Sequence, residues 1–179
     1  KGSDTQKKLM TDVFAKGDRF FRTGDLLKKD ALGYFYFVDR IGDTFRWKGE
    51  NVATSEVAEA LSLFPGVKEA NVYGVKVGDL DGKAGMAALV ATPDLNVAGL
   101  PAYLENQLPA YARPIFIRLL QQEMEITGTF KHRKVELVKE GFDPSALSDP
   151  LYWLDPESKT YKPLTPDAYA KLISGEVKL

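Results

Sequence analysis

The sequence predicts an α+β fold. Strand-like and helix-like segments follow one another in the order β-β-α-β-β-α-β-α, which is typical of a sheet with helices on part of its surface. Residues before about Arg40 have the pattern of the end of a preceding, strand-rich domain. Hydrophobic residues make up 44% of the chain, which is enough to form a core. We therefore expect one α+β domain with a short strand-rich segment before it.

The elements of the first 50 residues follow from their apolar patterns. Residues 6–15 have the spacing of an amphipathic helix, which Gly17 then ends. Residues 34–38 read as a buried strand because aromatic and β-branched side chains run together there. Shorter strands are expected at 19–22 and 44–47.

The helix expected at 55–64 has the clearest amphipathic pattern. Val57, Ala60, Leu61 and Phe64 fall on one helical face. The next elements are expected in this order: strands at 67–77 and 85–92, a helix at 100–108, a strand at 115–120, a polar loop at 123–131 and a helix at 133–140.

The last 30 residues differ in character. Asp-Pro and Lys-Pro pairs punctuate an aromatic stretch that reads as irregular. A short helix follows, with Thr165 as its N-cap, Pro166 at the first helical position and Gly175 as its stop.

The composition excludes several kinds of function. With 24 basic and 25 acidic residues the formal net charge is −1, so no general attraction to nucleic acid is expected. The absence of cysteine excludes disulfides and thiolate chemistry, and a lone His132 argues against a histidine metal site. The apolar run at 84–91 is too short to span a bilayer. A chain that begins with Lys1 rather than Met indicates a segment cut from a longer protein.

Two turn motifs place charged side chains beside glycine. In Arg22-Thr23-Gly24-Asp25 the carboxylate of Asp25 is suited to accept hydrogen bonds from the two hydroxyls of a ribose. In Asp39-Arg40-Ile41-Gly42-Asp43 the glycine permits the range of backbone angles that a hinge requires. The alternative for each motif is a turn that merely joins two strands, and for Asp25 taken alone that alternative is favoured.

Two further motifs present basic side chains. In Arg46-Trp47-Lys48-Gly49-Glu50-Asn51, Gly49 permits close approach of a ligand to the backbone, and Arg46 and Lys48 are suited to phosphates. In Ile126-Thr127-Gly128-Thr129-Phe130-Lys131 a Gly/Thr loop presents Lys131 as a point cation that can reach an anion and withdraw. Taken singly, these motifs are better explained as a solvated loop and an ordinary surface lysine.

The order and spacing of these four motifs resemble the adenylate-forming enzymes, a superfamily that includes acyl-CoA synthetases, luciferases and peptide-synthetase adenylation domains. The resemblance extends from about Val13 to the end of the chain. The stretch Asp39 to Asn51, with Gly128-Thr129-Phe130-Lys131 and the tail Leu151-Tyr152-Trp153-Leu154-Asp155, is similar to the fatty acid transport protein or very-long-chain acyl-CoA synthetase branch.

The resemblance implies a role for each matching position. Asp25 matches the aspartate that holds the ribose hydroxyls of the adenylate, and Arg40 matches an arginine near the ribose and phosphate. Gly49 matches the glycine whose loop lines the pantetheine channel, with Arg46 and Lys48 assigned to cofactor binding beside it. Lys131 matches the catalytic lysine, which bridges the attacking carboxylate and the α-phosphate during adenylation.

Two positions depart from the common pattern of that superfamily. Gly42 occupies the hinge position, where many relatives have Asp or Lys, so it can pivot but has no side chain to lock either state. Phe130 precedes the lysine where many relatives have glycine, which stiffens the loop. His132 is interpreted as incidental.

The resemblance also implies the architecture. Residues 1–41 are expected to be the terminal strands of a truncated large domain, residues 42–148 a C-terminal lid domain, and residues 149–179 an extension packed on the lid. The lid is expected to be a small mixed sheet flanked by helices.

The implied activity is that of an AMP-forming fatty-acid:CoA ligase for long or very long chains, acting through acyl-AMP. ATP/AMP, CoA and Mg²⁺ are the expected cofactors, with the magnesium ligands in the missing N-terminal domain. That domain is the expected partner, and the segment alone is expected to be inactive. Its leading residues 1–40 are expected either to pack onto the aromatic strand 34–37 or to mediate self-association through exposed apolar surface. The expected location is the cytoplasm or the periphery of a membrane. The alternatives are an activator of another bulky acid, such as a bile acid, or a non-catalytic docking module.

Overall fold

The computed structural model describes residues 9–40, 44–121 and 130–179, and gives only the backbone of Leu26, of residues 37–40 and of residues 130–133. The chain divides into two compact units, Lys1–Gly42 and Asp43–Leu179. None of the described helices is both long and apolar enough to cross a membrane.

The first unit contains two antiparallel strand pairs. One consists of β1, Leu9–Thr11, and β2, Arg19–Phe21. The other consists of β3, Asp25–Lys29, and β4, Phe35–Arg40. The strand expected at 19–22 is confirmed within a residue, whereas β3 was not expected, because a five-residue strand without alternating polarity gives little signal.

The helix expected at 6–15 is wrong in its described part, which forms β1 and a turn. The carboxylate of Asp18 accepts hydrogen bonds from the amides of Val13, Phe14 and Ala15 at 2.8–2.9 Å. Asp12 accepts one from the amide of Gly17. In a helix these amides would donate to backbone carbonyls of the preceding turn. Because the carboxylates accept from them instead, the turn is favoured over a helix.

The aromatic strand expected to be buried is exposed within its unit. Tyr34, Phe35 and Tyr36 are 54–65% exposed, so the expected burial of this strand is wrong. A two-stranded ribbon has no second layer to cover its face. The ribbon's loop is held by Asp30, whose carboxylate accepts from the amides of Leu32 and Tyr34 and from the hydroxyl of Tyr36.

The second unit is built on a five-stranded mixed sheet in the order β11-β10-β9-β8-β7. Its strands are β7, Val67–Val75; β8, Ala84–Ala91; β9, Phe116–Leu119; β10, Leu151–Asp155; and β11, Thr160–Pro163. Only the β8–β9 pair among these is parallel. A parallel pair needs a crossover, which runs through helix α2, Leu100–Gln107. The expected α+β fold with a mixed sheet is confirmed.

The remaining elements of this unit frame the sheet. Strands β5, Thr44–Trp47, and β6, Glu50–Ala53, form a hairpin that leads into helix α1, Thr54–Ser62. As expected, α1 buries Val57, Ala60 and Leu61. Helix α3 spans Phe130–Glu140, so it begins before the expected residue 133 and takes in the last two residues of the expected polar loop. The rest of that loop, residues 123–129, lies outside the described residues.

The last 30 residues form part of the sheet rather than an irregular extension. Strands β10 and β11 pair with each other, and β10 pairs with β9. Leu151, Trp153 and Asp155 alternate inward along β10. Helix α4, Pro166–Ser174, confirms the expected caps: Thr165 Oγ1 accepts from the amide of Ala168 at 3.2 Å, and Gly175 ends the helix with φ 78°.

Candidate functional site

Asp25 and Arg40 lie directly opposite each other in the β3–β4 pair. Asp25 follows Gly24, which has φ 80°, and its amide donates a hydrogen bond to Thr23 Oγ1 at 3.1 Å. The Thr-Gly-Asp turn therefore fixes the start of β3, while Arg40 is the last residue of β4. The topology brings together the two residues that the sequence assigned to the ribose and phosphate, although the side chain of Arg40 lies outside the described residues.

Arg46, Lys48 and Gly49 share one hairpin tip. Lys48 and Gly49 connect β5 to β6 with φ values of 50° and 85°. Two positive φ values in succession are typical of a type I′ turn, which matches the twist of the strands it joins. All three residues are exposed, whereas Trp47 is 3% exposed, and the Nζ atom of Lys48 lies 5.9 Å from the centroid of its ring. The tip thus presents basic side chains on an anchored strand.

Gly49 is open on the side where a side chain would project. A Cβ built there meets no atom of the described residues within 4 Å. The space is compatible with a ligand passing close to the backbone, and that role of Gly49 stays a prediction. The φ of 85° is also a sufficient local reason for glycine, because L residues with side chains rarely adopt it.

The hairpin is seated on the sheet by an aromatic ring above two glycines. Phe45, 7% exposed, lies against Gly74 of β7 and Gly85 of β8, which are paired across the two strands. A Cβ at Gly74 would come within 3.0 Å of the Phe45 side chain. Because neither glycine has a side chain, the Phe45 ring packs directly on the backbone of the sheet. This contact sets the distance between the hairpin and the sheet.

Lys131 is the second residue of α3. The backbone places it in the first turn of a helix, where the helix dipole favours an anion. Its side chain, and the Thr-Gly-Thr that precedes Phe130, lie outside the described residues. One turn further on, Lys134 Nζ donates a hydrogen bond to Thr54 Oγ1 at 2.7 Å. That contact ties α3 to the first residue of α1, which directly follows the hairpin.

Arg118 is a buried cation that the sequence interpretation missed. It lies on β9, and its side chain contacts Asp149 and Glu140 at 2.7 and 2.5 Å. Burial alone would lower the pKa of Arg118, but the hydrogen bonds to Glu140 and Asp149 raise it on balance. Its signal in the sequence is a single charge within the otherwise apolar strand Phe116–Leu119. The arginine holds the end of α3 next to the strand from which the 122–129 segment departs.

The described residues include no cluster of three or more His, Asp or Glu arranged to hold a metal ion. The donor groups in this described part of the chain do not fit a magnesium site.

Comparison with known protein families identifies part of the chain. Residues 56–131, from α1 to Lys131, match the family described as AMP-binding enzyme C-terminal domain. The chain is 52% identical over 182 residues to long-chain fatty acid transport protein 6 of Mus musculus, covering 99% of this chain and 29% of that protein. It is 53% identical over 174 residues to mouse long-chain fatty acid transport protein 3, covering 96% and 26%. The chain thus spans less than a third of the length of these relatives.

Solved structures with the same fold are those of adenylate-forming ligases. o-Succinylbenzoate CoA synthetase of Bacillus subtilis, in complex with its acyl-adenylate intermediate, matches with a TM-score of 0.53 and 31% identity, over 58% of this chain and 21% of that one. ATP-bound MatB of Rhodopseudomonas palustris matches with a TM-score of 0.57 and 28% identity, over 69% of this chain and 24% of that one.

Proposed function

We propose that this chain is the C-terminal catalytic lid of a fatty-acid:CoA ligase of the adenylate-forming acyl-CoA synthetase family, in the branch of the long-chain fatty acid transport proteins. The observation that carries the proposal is the matched family region, which ends at Lys131, the second residue of a helix. The fatty acid as substrate is supported by the names of the relatives, of which this chain covers less than a third.

The proposed reaction has two half-reactions. In the first, a carboxylate oxygen of the fatty acid attacks the α-phosphorus of ATP, the bond to the β-phosphate oxygen breaks, and pyrophosphate leaves. Lys131 neutralises the charge that accumulates around the α-phosphorus. In the second, the thiol of CoA attacks the acyl carbonyl carbon, loses its proton to solvent, and AMP leaves with the electrons of the broken bond.

Asp25 and Arg40 are proposed to hold the nucleotide. Their opposed positions in the β3–β4 pair support the assignment, because one end of one ribbon then offers a carboxylate for the ribose hydroxyls and a cation for the phosphate. The Thr23 contact and the positive φ of Gly24 fix the backbone at Asp25 before any ligand arrives. Preorganisation of this kind reduces the free-energy cost of binding.

Gly49 is proposed to face the pantetheine arm of CoA during the second half-reaction. The exposed turn and the open space at its Cβ position support this assignment. Arg46 and Lys48 are the cations proposed to meet CoA phosphates there.

Gly42 is proposed as the pivot between the two half-reactions. The contact units change between Gly42 and Asp43, which supports a junction at this position, while Gly42 itself lies outside the described residues. The division into 1–41, 42–148 and 149–179 remains part of the proposal. Rotation there would withdraw Lys131 and bring the Gly49 turn to the acyl-adenylate.

The remaining parts of the proposed enzyme lie outside this chain. Magnesium would help to neutralise the phosphates, and its ligands are expected in the N-terminal domain, which is also the proposed partner. We further propose a cytoplasmic location or peripheral association with a membrane.

The direct test is an assay of pyrophosphate release by the full-length protein with a panel of acids. We expect release that depends on a long-chain fatty acid, followed by CoA-dependent release of AMP. Preference for a bile acid would contradict the fatty acid assignment alone. No release with any acid in the panel would contradict the ligase assignment.

A further inference from the structure

The Lys48-Gly49 turn is supported from behind by the segment between β7 and β8. This β7–β8 loop comprises residues 76–83. The amide of Lys83 donates a hydrogen bond to the carbonyl oxygen of Arg46 at 2.7 Å, and Gly82 forms a β-bridge with Trp47. A Cβ at Gly82 would come within 3.0 Å of the Arg46 carbonyl oxygen. The hairpin backbone therefore rests on a position that only glycine can fill.

The other end of the same loop rests on helix α4. A Cβ at Gly78 would come within 3.0 Å of the carbonyl oxygen of Ile173, in the last turn of that helix. Helix α4 is itself fixed to the core by Leu172, which is 1% exposed. Its C-terminal turn is thus in backbone contact with the β7–β8 loop.

The loop is braced between these two contacts. Val77 is 1% exposed, the amide of Leu80 donates to the carbonyl of Val77 at 3.1 Å, and Lys76 Nζ donates to the carbonyl of Leu80. Only three residues separate the α4 contact at Gly78 from the hairpin contact at Gly82. The hydrogen bonds of Leu80 to Val77 and of Lys76 to Leu80 tie this short segment together, so it offers a direct path from one contact to the other.

We propose that Gly78, Gly82 and helix α4 are positioning elements for the Lys48-Gly49 turn, and that they set the rate of thioester formation without taking part in adenylation. This inference rests on the proposed function of the turn. The described contacts that support it run from α4 through the loop to β5, whereas a described contact of α3, which carries Lys131, is with Thr54, after the other strand of the hairpin. The C-terminal segment would therefore serve the CoA half-reaction specifically.

Three glycines with nearly equal backbone angles provide a matched test. Gly49, Gly82 and Gly175 have φ values of 85°, 80° and 78°, so alanine introduces similar backbone strain at each. At Gly82 the new methyl group meets the Arg46 carbonyl, whereas at Gly49 and Gly175 it meets no described atom within 4 Å. Gly175→Ala thus introduces backbone strain at the end of α4 without a steric contact between the new methyl group and the β7–β8 loop.

The two half-reactions are measured separately on the full-length protein. We expect Gly82→Ala to slow thioester formation from supplied acyl-AMP by about tenfold or more, since displacements of about 1 Å can have effects of this size. Its pyrophosphate release should stay near wild type, and Gly175→Ala should leave both steps near wild type. Gly78→Ala, at the α4 end of the loop, should give the same split and replaces Gly82→Ala if that variant does not fold.

The outcomes separate this inference from the proposed function. If Gly49→Ala leaves thioester formation unchanged, the role proposed for the turn is contradicted. If Gly49→Ala slows that step while Gly82→Ala and Gly78→Ala behave like Gly175→Ala, the positioning inference is overturned. Trp47 fluorescence in a Trp153→Phe background reports the displacement independently of activity, and an unchanged spectrum in folded Gly82→Ala would also overturn the inference.

Discussion

Arg118 contacts Asp149 through two nitrogens of its guanidinium: Nε and Nη2 both lie 2.7 Å from the same oxygen, Oδ2. The third nitrogen, Nη1, lies 2.5 Å from Oε2 of Glu140 at the end of α3. The stretch of chain that carries Lys131 therefore leaves the sheet near Arg118 and returns to it at Glu140. One buried cation fixes both ends of that stretch.

Replacing Arg118 with Met is predicted to destabilise the chain by about 3–5 kcal/mol, because Asp149 would be left largely buried without its cation. Lys171→Met is the control, since Lys171 pairs with Asp167 on the exposed surface of α4 and should contribute less than about 1 kcal/mol. Urea unfolding of the two variants measures the difference. Equal losses would show that burial does not strengthen the Arg118 cluster.

Asp155 is predicted to make stability depend on acid pH. The ammonium of Lys162 and the hydroxyl of Ser158 lower its pKa from 3.8 to about 2. A carboxylate whose pKa is lower in the folded state stabilises it above the unfolded pKa, and this contribution is lost as pH falls from about 4 to about 2. When the free energy of unfolding in urea is measured against pH, Asp155→Asn should abolish most of the loss between about pH 4 and about pH 2. Ser158→Ala should make that loss smaller. An Asp155→Asn profile as steep as that of the wild type would contradict the assignment.

The contact between Lys134 and Thr54 is predicted to stabilise the junction of α3 with α1. Thr54 is 5% exposed, and its Oγ1 accepts from Lys134 Nζ at 2.7 Å. Thr54→Val keeps the side-chain shape but removes the acceptor, and it should cost about 1.5–3 kcal/mol, as for hydrogen bonds to charged groups. Thr54→Ser retains the hydroxyl and should lower the free energy of unfolding by less than Thr54→Val does. Similar unfolding free energies for the two variants would mean that the hydrogen bond contributes little.

Local capping and periodicity explain what the sequence predicted well. The bounds of helix α4 were predicted from Thr165, Pro166 and Gly175, which lie at the ends of the helix itself. Helix α1 was predicted from the spacing of its own apolar residues. In both cases the signal lies within the segment that forms the helix.

The errors arose where distant groups or side-chain competition decide the structure. Strand β10 was missed because its pairing with β9 joins residues more than 30 positions apart, and β11 in turn pairs with β10. The helix at 6–15 failed because Asp18 accepts hydrogen bonds from the amides of Val13, Phe14 and Ala15 in its described part. Burial of the Tyr34 strand depends on a covering surface, which the sequence of the strand does not contain.

The motifs locate the turn at Gly49 and the Thr-Gly-Asp turn before Asp25, while the roles of these residues stay predictions. The pairing of Asp25 with Arg40 across β3 and β4 was not foreseen. The contacts of Arg118, Gly78 and Gly82 were not foreseen, because each depends on a partner from a remote part of the chain.

The chain by itself is predicted to bind ATP weakly or undetectably and to have no ligase activity. Of the proposed nucleotide contacts it contains Asp25, Arg40 and Lys131, and a charge-assisted hydrogen bond contributes about 1.5–3 kcal/mol. Millimolar binding already requires about 4 kcal/mol after the cost of association. Calorimetric titration with ATP and an acyl-CoA assay measure both properties. Micromolar affinity, or turnover that depends on Lys131, would mean that the site is more complete within this chain.

The role of Lys131 is the central claim, and separate assays of the two half-reactions of the full-length Lys131→Ala variant test it most directly. The account predicts that fatty-acid-dependent pyrophosphate release falls by about 10²–10³-fold, the loss expected when one group that stabilises transition-state charge is removed. Thioester formation from supplied acyl-AMP should be largely retained. Lys139→Ala, which removes an exposed lysine from the last turn of the same helix, should leave both steps near wild type. Equal loss of both half-reactions in the Lys131 variant, or undiminished pyrophosphate release, would contradict the account.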